Sequence, residues 1–238
     1  MSAARPIPEA EPSFEHKFLF ARAHRPLIEG LLRFALQPDP AFRLGRITSI
    51  YYDTPTFDLY HEKRASTYLK NKIRLRWYGD VAKMTSPVKC WLELKTKVGG
   101  TRQKQRFPLT LPASLLAAKD LTSPLLAQPL ALLPTFGHSF DGAMAAMLTV
   151  QYERQRLIHP STGSRVAIDT DICCPAVNRQ FVPALPPAFL EMCVLEIKGP
   201  ERELPQWLQP IRDFVRREAF SKYASCFEHL LQPAGRRE

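Results

Sequence analysis

The sequence predicts an α+β fold, an antiparallel β-barrel tunnel with flanking helices, and three observations carry the prediction. Several segments alternate strictly between apolar and cationic residues, which is the period of a strand. Gly and Pro turns join many of them as a meander. Leu-rich stretches broken by prolines enter at one or two joints, so helices flank the strands.

The elements follow in order. Residues 1–12 read as a flexible tail, with prolines and acids but no apolar run that would mark a secretion leader. Residues 14–20 form a short strand. Arg25-Pro26 opens a helix at a position where proline is tolerated, and Leu27, Ile28, Leu31, Leu32 and Ala35 are its apolar stripe. Residues 46–53 are a strand ended by the Asp53-Thr54-Pro55 turn, and 57–63 are helical or irregular. Residues 73–78, 88–97 and 101–109 are strands, the last two a hairpin around Gly99-Gly100. Residues 112–148 are short helices interrupted by Pro124, Pro129 and Pro134. Strands return at 149–158, 165–171 and 192–198, the last stopped by Gly199-Pro200. The remainder is helical, with Trp207, Ile211, Phe214 and Val215 as one stripe and 220–231 as the last segment. A single domain over 13–232 accounts for all of this, with 233–238 as a C-terminal tail. No repeat of fixed period supports a solenoid.

Thirty-three Lys and Arg against 23 Asp and Glu leave a net charge of +10, which favours an anionic partner: nucleic acid, a membrane surface or a phosphate-rich small molecule. The placement of the cations narrows the choice. Lys72, Arg74 and Arg76 share one strand face. So do Glu93, Lys95 and Lys97, then Arg102, Lys104 and Arg106, then Tyr152, Arg154 and Arg156, and finally Glu196 and Lys198. One such row is an ordinary solvated face over which long side chains spread. Like charges on several strands repel unless an anion compensates them, so the rows point to a polyanion held inside a closed sheet. Cations in strand rows, rather than on one helix or tail, argue against a nucleic-acid binder. No glycine-rich phosphate loop is present. The five cysteines lack metal-ligand spacing and read as reduced thiols. The apolar stretch 109–133 is cut by Lys119, Asp120 and prolines, so it cannot span a bilayer. The expectation is a soluble, cytoplasmic chain without its own membrane span.

Glu15, Glu93 and Glu196 each precede a lysine by two residues. Singly, such pairs are cross-strand ion pairs worth little. As a set among basic rows they offer hard oxygen ligands for Mg²⁺ or Mn²⁺.

The segments Phe14-Glu15-His16-Lys17-Phe18, Ser49-Ile50-Tyr51-Tyr52-Asp53-Thr54-Pro55, Lys72-Ile73-Arg74-Leu75-Arg76-Trp77-Tyr78-Gly79, Leu92-Glu93-Leu94-Lys95, Tyr152-Glu153-Arg154, Arg165-Val166-Ala167-Ile168-Asp169, Leu195-Glu196-Ile197-Lys198 and Ser221-Lys222-Tyr223 occur in this order. Together they resemble the catalytic domain of the vacuolar transporter chaperone family, in the triphosphate tunnel metalloenzyme superfamily, from about Phe14 to about Phe227. The resemblance implies a tunnel that binds a triphosphate and Mn²⁺ or Mg²⁺ and builds polyphosphate from the γ-phosphoryl group of ATP. A triphosphatase of the same fold, or a non-catalytic sensor of polyphosphate or nucleotide, are the alternatives. By that resemblance Lys17, Arg74, Arg76, Lys95, Arg154 and Lys222 contact phosphates, and Lys104, Arg106 and Arg165 add to them; Lys72 and Lys198 join from the strand rows. Glu196 is implied as the main metal ligand, with Glu15 and Glu93 beside it. The superfamily opens with Glu-x-Glu-x-Lys, whereas Ser13 stands at the first Glu position here. A separate membrane protein that receives the product stays open. An interior so crowded with like charge leads to one further expectation: removing Arg74 or Arg76 should leave the unliganded fold as stable as before.

Overall fold

In the structure, a computed structural model describing residues 14–231 apart from 139, 141, 142, 184, 185 and 201, the alternating segments form one eleven-stranded sheet whose paired strands are all antiparallel. The expected tails, 1–12 and 233–238, and Ser13 lie outside these residues. The strands are β1 (Phe14–Ala21), β2 (Gln37–Pro38), β3 (Leu44–Asp53), β4 (Leu69–Tyr78), β5 (Val88–Val98) and β6 (Thr101–Leu111), then β7 (Ala145–Ile158), β8 (Arg165–Cys174), β9 (Ala188–Phe189), β10 (Met192–Gly199) and β11 (Arg216–Arg217). The helices are α1 (Arg25–Leu32), α2 (Asp58–Arg64), α3 (Ala113–Leu116) and α4 (Lys222–Leu231). Pairing runs β11-β1-β10-β8-β7-β3-β4-β5-β6, with β2 on β7 and β9 on β8.

The expected closed barrel is not formed. The path of paired strands ends at β6 on one side and at β1 and β11 on the other. The two edges instead meet through long side chains, Arg102 of β6 donating to Glu15 of β1 at 2.6 Å. A pair of extended side chains spans more than the roughly 4.8 Å that separates hydrogen-bonded strands, so the sheet curls around its interior without a closing ladder.

Alternation decides which face is which. Ile73, Leu75, Leu92 and Leu94 are at most 1 % exposed and pack outward under α3 and the 3-10 helix Pro124–Phe136. Phe18, Phe20, Ile168, Leu195 and Ile197 pack outward against α1 and a second 3-10 helix, Gln206–Phe214. Each such buried side chain contributes about 1.5–3 kcal/mol, so the apolar outer face holds the sheet together. The concave side is capped by α4, where Tyr223 stacks on Tyr51 at 5.1 Å and Phe227 packs on Phe57 at 4.6 Å.

Several boundaries differ from expectation for physical reasons. β7 begins four residues earlier, at Ala145, because Met147 and Leu148 are wholly buried beneath α4 and make a two-sided apolar run that reads equally as helix. Residues 206–214 adopt 3-10 geometry around Pro210, whose missing N–H disfavours an α-helix. In α1, Leu27 is 44 % exposed, while Ile28, Leu32 and the following Leu36 face the core. The five cysteines are buried and unbridged. Among the described residues no helix is long and apolar enough to cross a membrane.

Candidate polyanion site

The inward positions of β4, β5 and β6 align in register as rungs. Lys70, Lys97 and Arg102 form one, and Lys72, Lys95 and Lys104 the next. Arg74, Glu93 and Arg106 follow, then Arg76, Trp91 and Pro108. Two adjacent rungs therefore consist of cations alone. Like charges directly opposite on paired strands are destabilising; Arg102 is offset by Glu15 and Lys104 by Glu93, whereas Lys72 and Lys95 form no ion pair among the described residues.

The third rung is compensated. The Glu93 carboxylate, 1 % exposed, accepts from Arg74 Nε and Nη2 at 2.8 and 2.6 Å. Arg106, Lys104 and Arg76 surround it at 3.5, 3.7 and 3.9 Å. Burial pushes the Glu93 carboxyl up, but these cations overcome it and hold the group far below the ordinary range. Arg74 also donates to the Tyr51 hydroxyl, and Arg76 donates to Ser49 and Tyr152.

The facing wall comes from β7, β8, β10 and β1. Arg154 makes a two-point contact with Asp169 at 2.6 and 2.7 Å, and Lys222 of α4 pairs with the same carboxylate. Lys222 also lies 4.6 Å from the Tyr152 ring centre. Glu196 is within 3.2 Å of Lys198, 3.5 Å of Arg154 and 4.0 Å of Lys17. Its burial would raise the carboxyl, and Lys17, Arg154 and Lys198 pull it well below the usual value. Glu15 holds Lys17 at 3.1 Å, so Lys17 lies between the Glu15 and Glu196 carboxylates.

Lys72 and Lys95 are the exceptions. Neither forms an ion pair among the described residues, and the one hydrogen bond from Lys72 goes to the Ser221 hydroxyl at 3.0 Å. Burial lowers the Lys72 ammonium first, then Lys17, Arg74, Lys63 and Lys222 repel it, down to about 7. Burial and then Arg74 and Lys198 push Lys95 well below its ordinary value, with Glu196 opposing. The Arg102–Glu15 bond ties β6 to β1, and the Lys72–Ser221 contact ties β4 to the segment leading into α4, so both walls line one interior. Lys72 and Lys95 are half-buried.

Most expected site residues thus converge: Lys17, Lys72, Arg74, Arg76, Lys95, Lys104, Arg106, Arg154, Lys198 and Lys222. Arg165 does not join them closely; it is exposed, opposite Lys198 at the start of β8. The expected trio of metal carboxylates is not assembled either. Glu93 is enclosed by four cations that would repel a metal ion, and the described residues hold no group of three or more His, Cys, Asp or Glu able to bind one. Glu15 and Glu196, on paired strands and both beside Lys17, carry two and three cations against the four on Glu93, and they are the carboxylates left for a hard cation that takes most of its ligands from phosphate and water.

Sequence reasoning missed several supports. Asp169 shares a strand face with Arg165 by simple alternation, which would have placed it inside. Asp53 accepts from Leu59 and Tyr60 amides at the start of α2 and from the Tyr223 hydroxyl at 2.7 Å, fixing α4 and therefore Lys222. That role joins residues 170 positions apart and leaves no local signal.

An antiparallel sheet curled around arginines braced by carboxylates, with Lys72 and Lys95 forming no ion pair among the described residues, defines a domain with a basic interior. The VTC domain family model matches residues 41–231, and the chain belongs to that family. Among solved structures, a candidate adenylate cyclase from Vibrio parahaemolyticus superposes with a TM-score of 0.44 at 11% identity, covering 92% of this chain and 99% of that one. Another candidate adenylate cyclase, from Bacillus halodurans, gives 0.46 at 13% identity, with coverage of 86% and 90%. No curated protein matches the chain.

Proposed function

We propose that the domain holds a chain of phosphates in its basic interior and transfers the γ-phosphoryl group of ATP onto polyphosphate. The observation that carries this reading is the pair of all-cation rungs, Lys70–Lys97–Arg102 and Lys72–Lys95–Lys104. An anion of one or two charges neutralises one or two of these cations; a linear polyphosphate presents a negative charge at each repeat and matches successive rungs. Membership in the VTC domain family supports the same substrate class.

Phosphoryl transfer asks a protein mainly for positioning and charge stabilisation, because charge spreads over the phosphoryl oxygens in the transition state. Lys72 and Lys95 form no ion pair with a carboxylate among the described residues, and bound phosphate would hold both in the charged form. Arg74, Arg76 and Arg154 present planar guanidiniums whose orientation is already fixed by Glu93, Ser49 and Asp169. Lys222, Lys17, Lys104, Arg106 and Lys198 complete the enclosure. Glu196 with Glu15 would hold Mg²⁺ or Mn²⁺, which supplies neutralisation between phosphate groups.

Incubation of purified protein with ATP and Mn²⁺, with the products resolved by gel, tests the reading. Long chains are the expected product. Orthophosphate alone would make the domain a triphosphatase, and binding without turnover would make it a sensor.

A further inference from the structure

The interior is chemically lopsided. At one end lie the Lys70–Lys97–Arg102 and Lys72–Lys95–Lys104 rungs. Beyond the Arg74–Glu93–Arg106 rung at the other end, the same inward faces turn aromatic, at Tyr78 of β4 and Trp91 of β5. The two rings meet edge to face at 5.3 Å and 72°. The Arg106 guanidinium lies 4.2 Å from the Trp91 ring centre, 3.5 Å from Glu93 and 3.5 Å from the Tyr78 hydroxyl. It thereby joins the aromatic end to the compensated rung.

A concavity of about 450 Å³ opens on these rings, with Met84 and Val88 as apolar walls and Lys83 and Lys89 at its border. The concavity is open to solvent rather than enclosed, so it offers a wall against which a flat ring can lie, with polar groups at its edge. Inorganic phosphate chains gain nothing from an aromatic wall. A flat heterocycle does, because every base offers a π-face for stacking. Four residues of strand separate Trp91 from Lys95, about 13 Å at 3.3 Å per residue, a length that a nucleoside triphosphate can span.

We propose that Tyr78, Met84 and Trp91 form the seat for the base of a nucleoside triphosphate, whose phosphates run along the Arg74–Glu93–Arg106 rung toward Lys72 and Lys95. Stacking sets the seat's preference, so purines bind better than pyrimidines. The arrangement also gives the interior a direction: nucleotide enters at the aromatic end, and the phosphate chain extends toward Lys70, Lys97 and Arg102. This inference rests on the phosphate-binding reading above and adds the nucleoside subsite to it.

Calorimetric titration with ATP and with inorganic tripolyphosphate, on the wild type and on Trp91→Phe, Trp91→Ala and Met84→Ser, tests the seat. ATP should bind the wild type more tightly than its triphosphate moiety alone predicts from tripolyphosphate. Trp91→Ala should weaken ATP about tenfold, Met84→Ser severalfold, and Trp91→Phe little, because it keeps an aromatic plate. Met84 is uncharged and follows the 3-10 turn Val81–Lys83, outside the strand rungs, so Met84→Ser should leave tripolyphosphate affinity unchanged even if Trp91→Ala disturbs Arg106. Equal losses for both ligands in Met84→Ser, or no ATP loss in Met84→Ser and Trp91→Ala, would overturn the seat while leaving phosphate binding intact. Failure of tripolyphosphate to bind the wild type would instead overturn the phosphate reading, and the seat with it.

Discussion

Lys72 and Lys95 stand directly opposite each other on adjacent strands, and neither meets a carboxylate in an ion pair among the described residues. Their neighbours on the next rung, Arg74 and Glu93, are also directly opposite and are bonded at 2.6 Å. One rung is built for stability and the other is not.

Replacing either lysine should therefore relieve the unliganded protein. Lys72→Met and Lys95→Met keep the aliphatic stem and remove the charge. Thermal melts without ligand should give midpoints equal to or above the wild type. A clear drop in both would mean that the lysines brace the fold.

Arg74 behaves differently, and here the expectation from sequence is corrected. Arg74→Ala strips the closest partner from a Glu93 carboxylate that is 1 % exposed. Breaking a buried pair costs about 3–5 kcal/mol, reduced here because Arg76, Lys104 and Arg106 remain nearby. Chemical denaturation should show Arg74→Ala destabilised by roughly 2–3 kcal/mol, and Arg76→Ala, 3.9 Å from Glu93, destabilised less. Equal stability of Arg74→Ala and wild type would contradict the brace.

Lys72, lowered to about 7, links binding to pH. In the folded, unliganded protein it loses its proton as pH rises through about 7, whereas the unfolded chain keeps it to near 10.5. The unfolded state therefore holds more protons in that window, and stability rises with pH there. A bound polyanion restores the proton, so binding takes up protons above about pH 7 and weakens as pH rises further. Calorimetry in buffers of different ionisation enthalpy should detect that uptake in the wild type and less of it in Lys72→Met. Identical proton uptake by the two proteins would remove Lys72 from the site.

Glu196→Gln keeps the shape and removes the charge proposed to bind a hard cation. Activity should fall sharply and the dependence on Mn²⁺ concentration should flatten, while the protein stays folded by circular dichroism. An unchanged metal titration would return Glu196 to a purely structural role among Lys17, Arg154 and Lys198.

Much of this was legible in the sequence because a strand's period is two. Lys72, Arg74 and Arg76 had to share a face, and Ile73 and Leu75 had to take the other, wherever the strand lay. The Gly99-Gly100 turn fixes Glu93 opposite Arg106, but the register of β4 on β5 was not legible, so nothing in the order of residues revealed that Arg74 completes that rung. Closure was hidden for the same reason: the Arg102–Glu15 contact that replaces a ladder joins residues 87 positions apart. Asp169 was within reach of the alternation rule, but the tie of Asp53 to Tyr223 depends on where α4 folds back.

Calorimetric titration of tripolyphosphate into the wild type and the Lys72→Met/Lys95→Met double variant, at low and high salt, bears most directly on the role of Lys72 and Lys95. Charge-assisted contacts contribute about 1.5–3 kcal/mol each, so the double variant should bind more than about a hundredfold more weakly. It should also lose part of the salt dependence while melting no lower than the wild type. Undiminished affinity in the double variant would contradict the account.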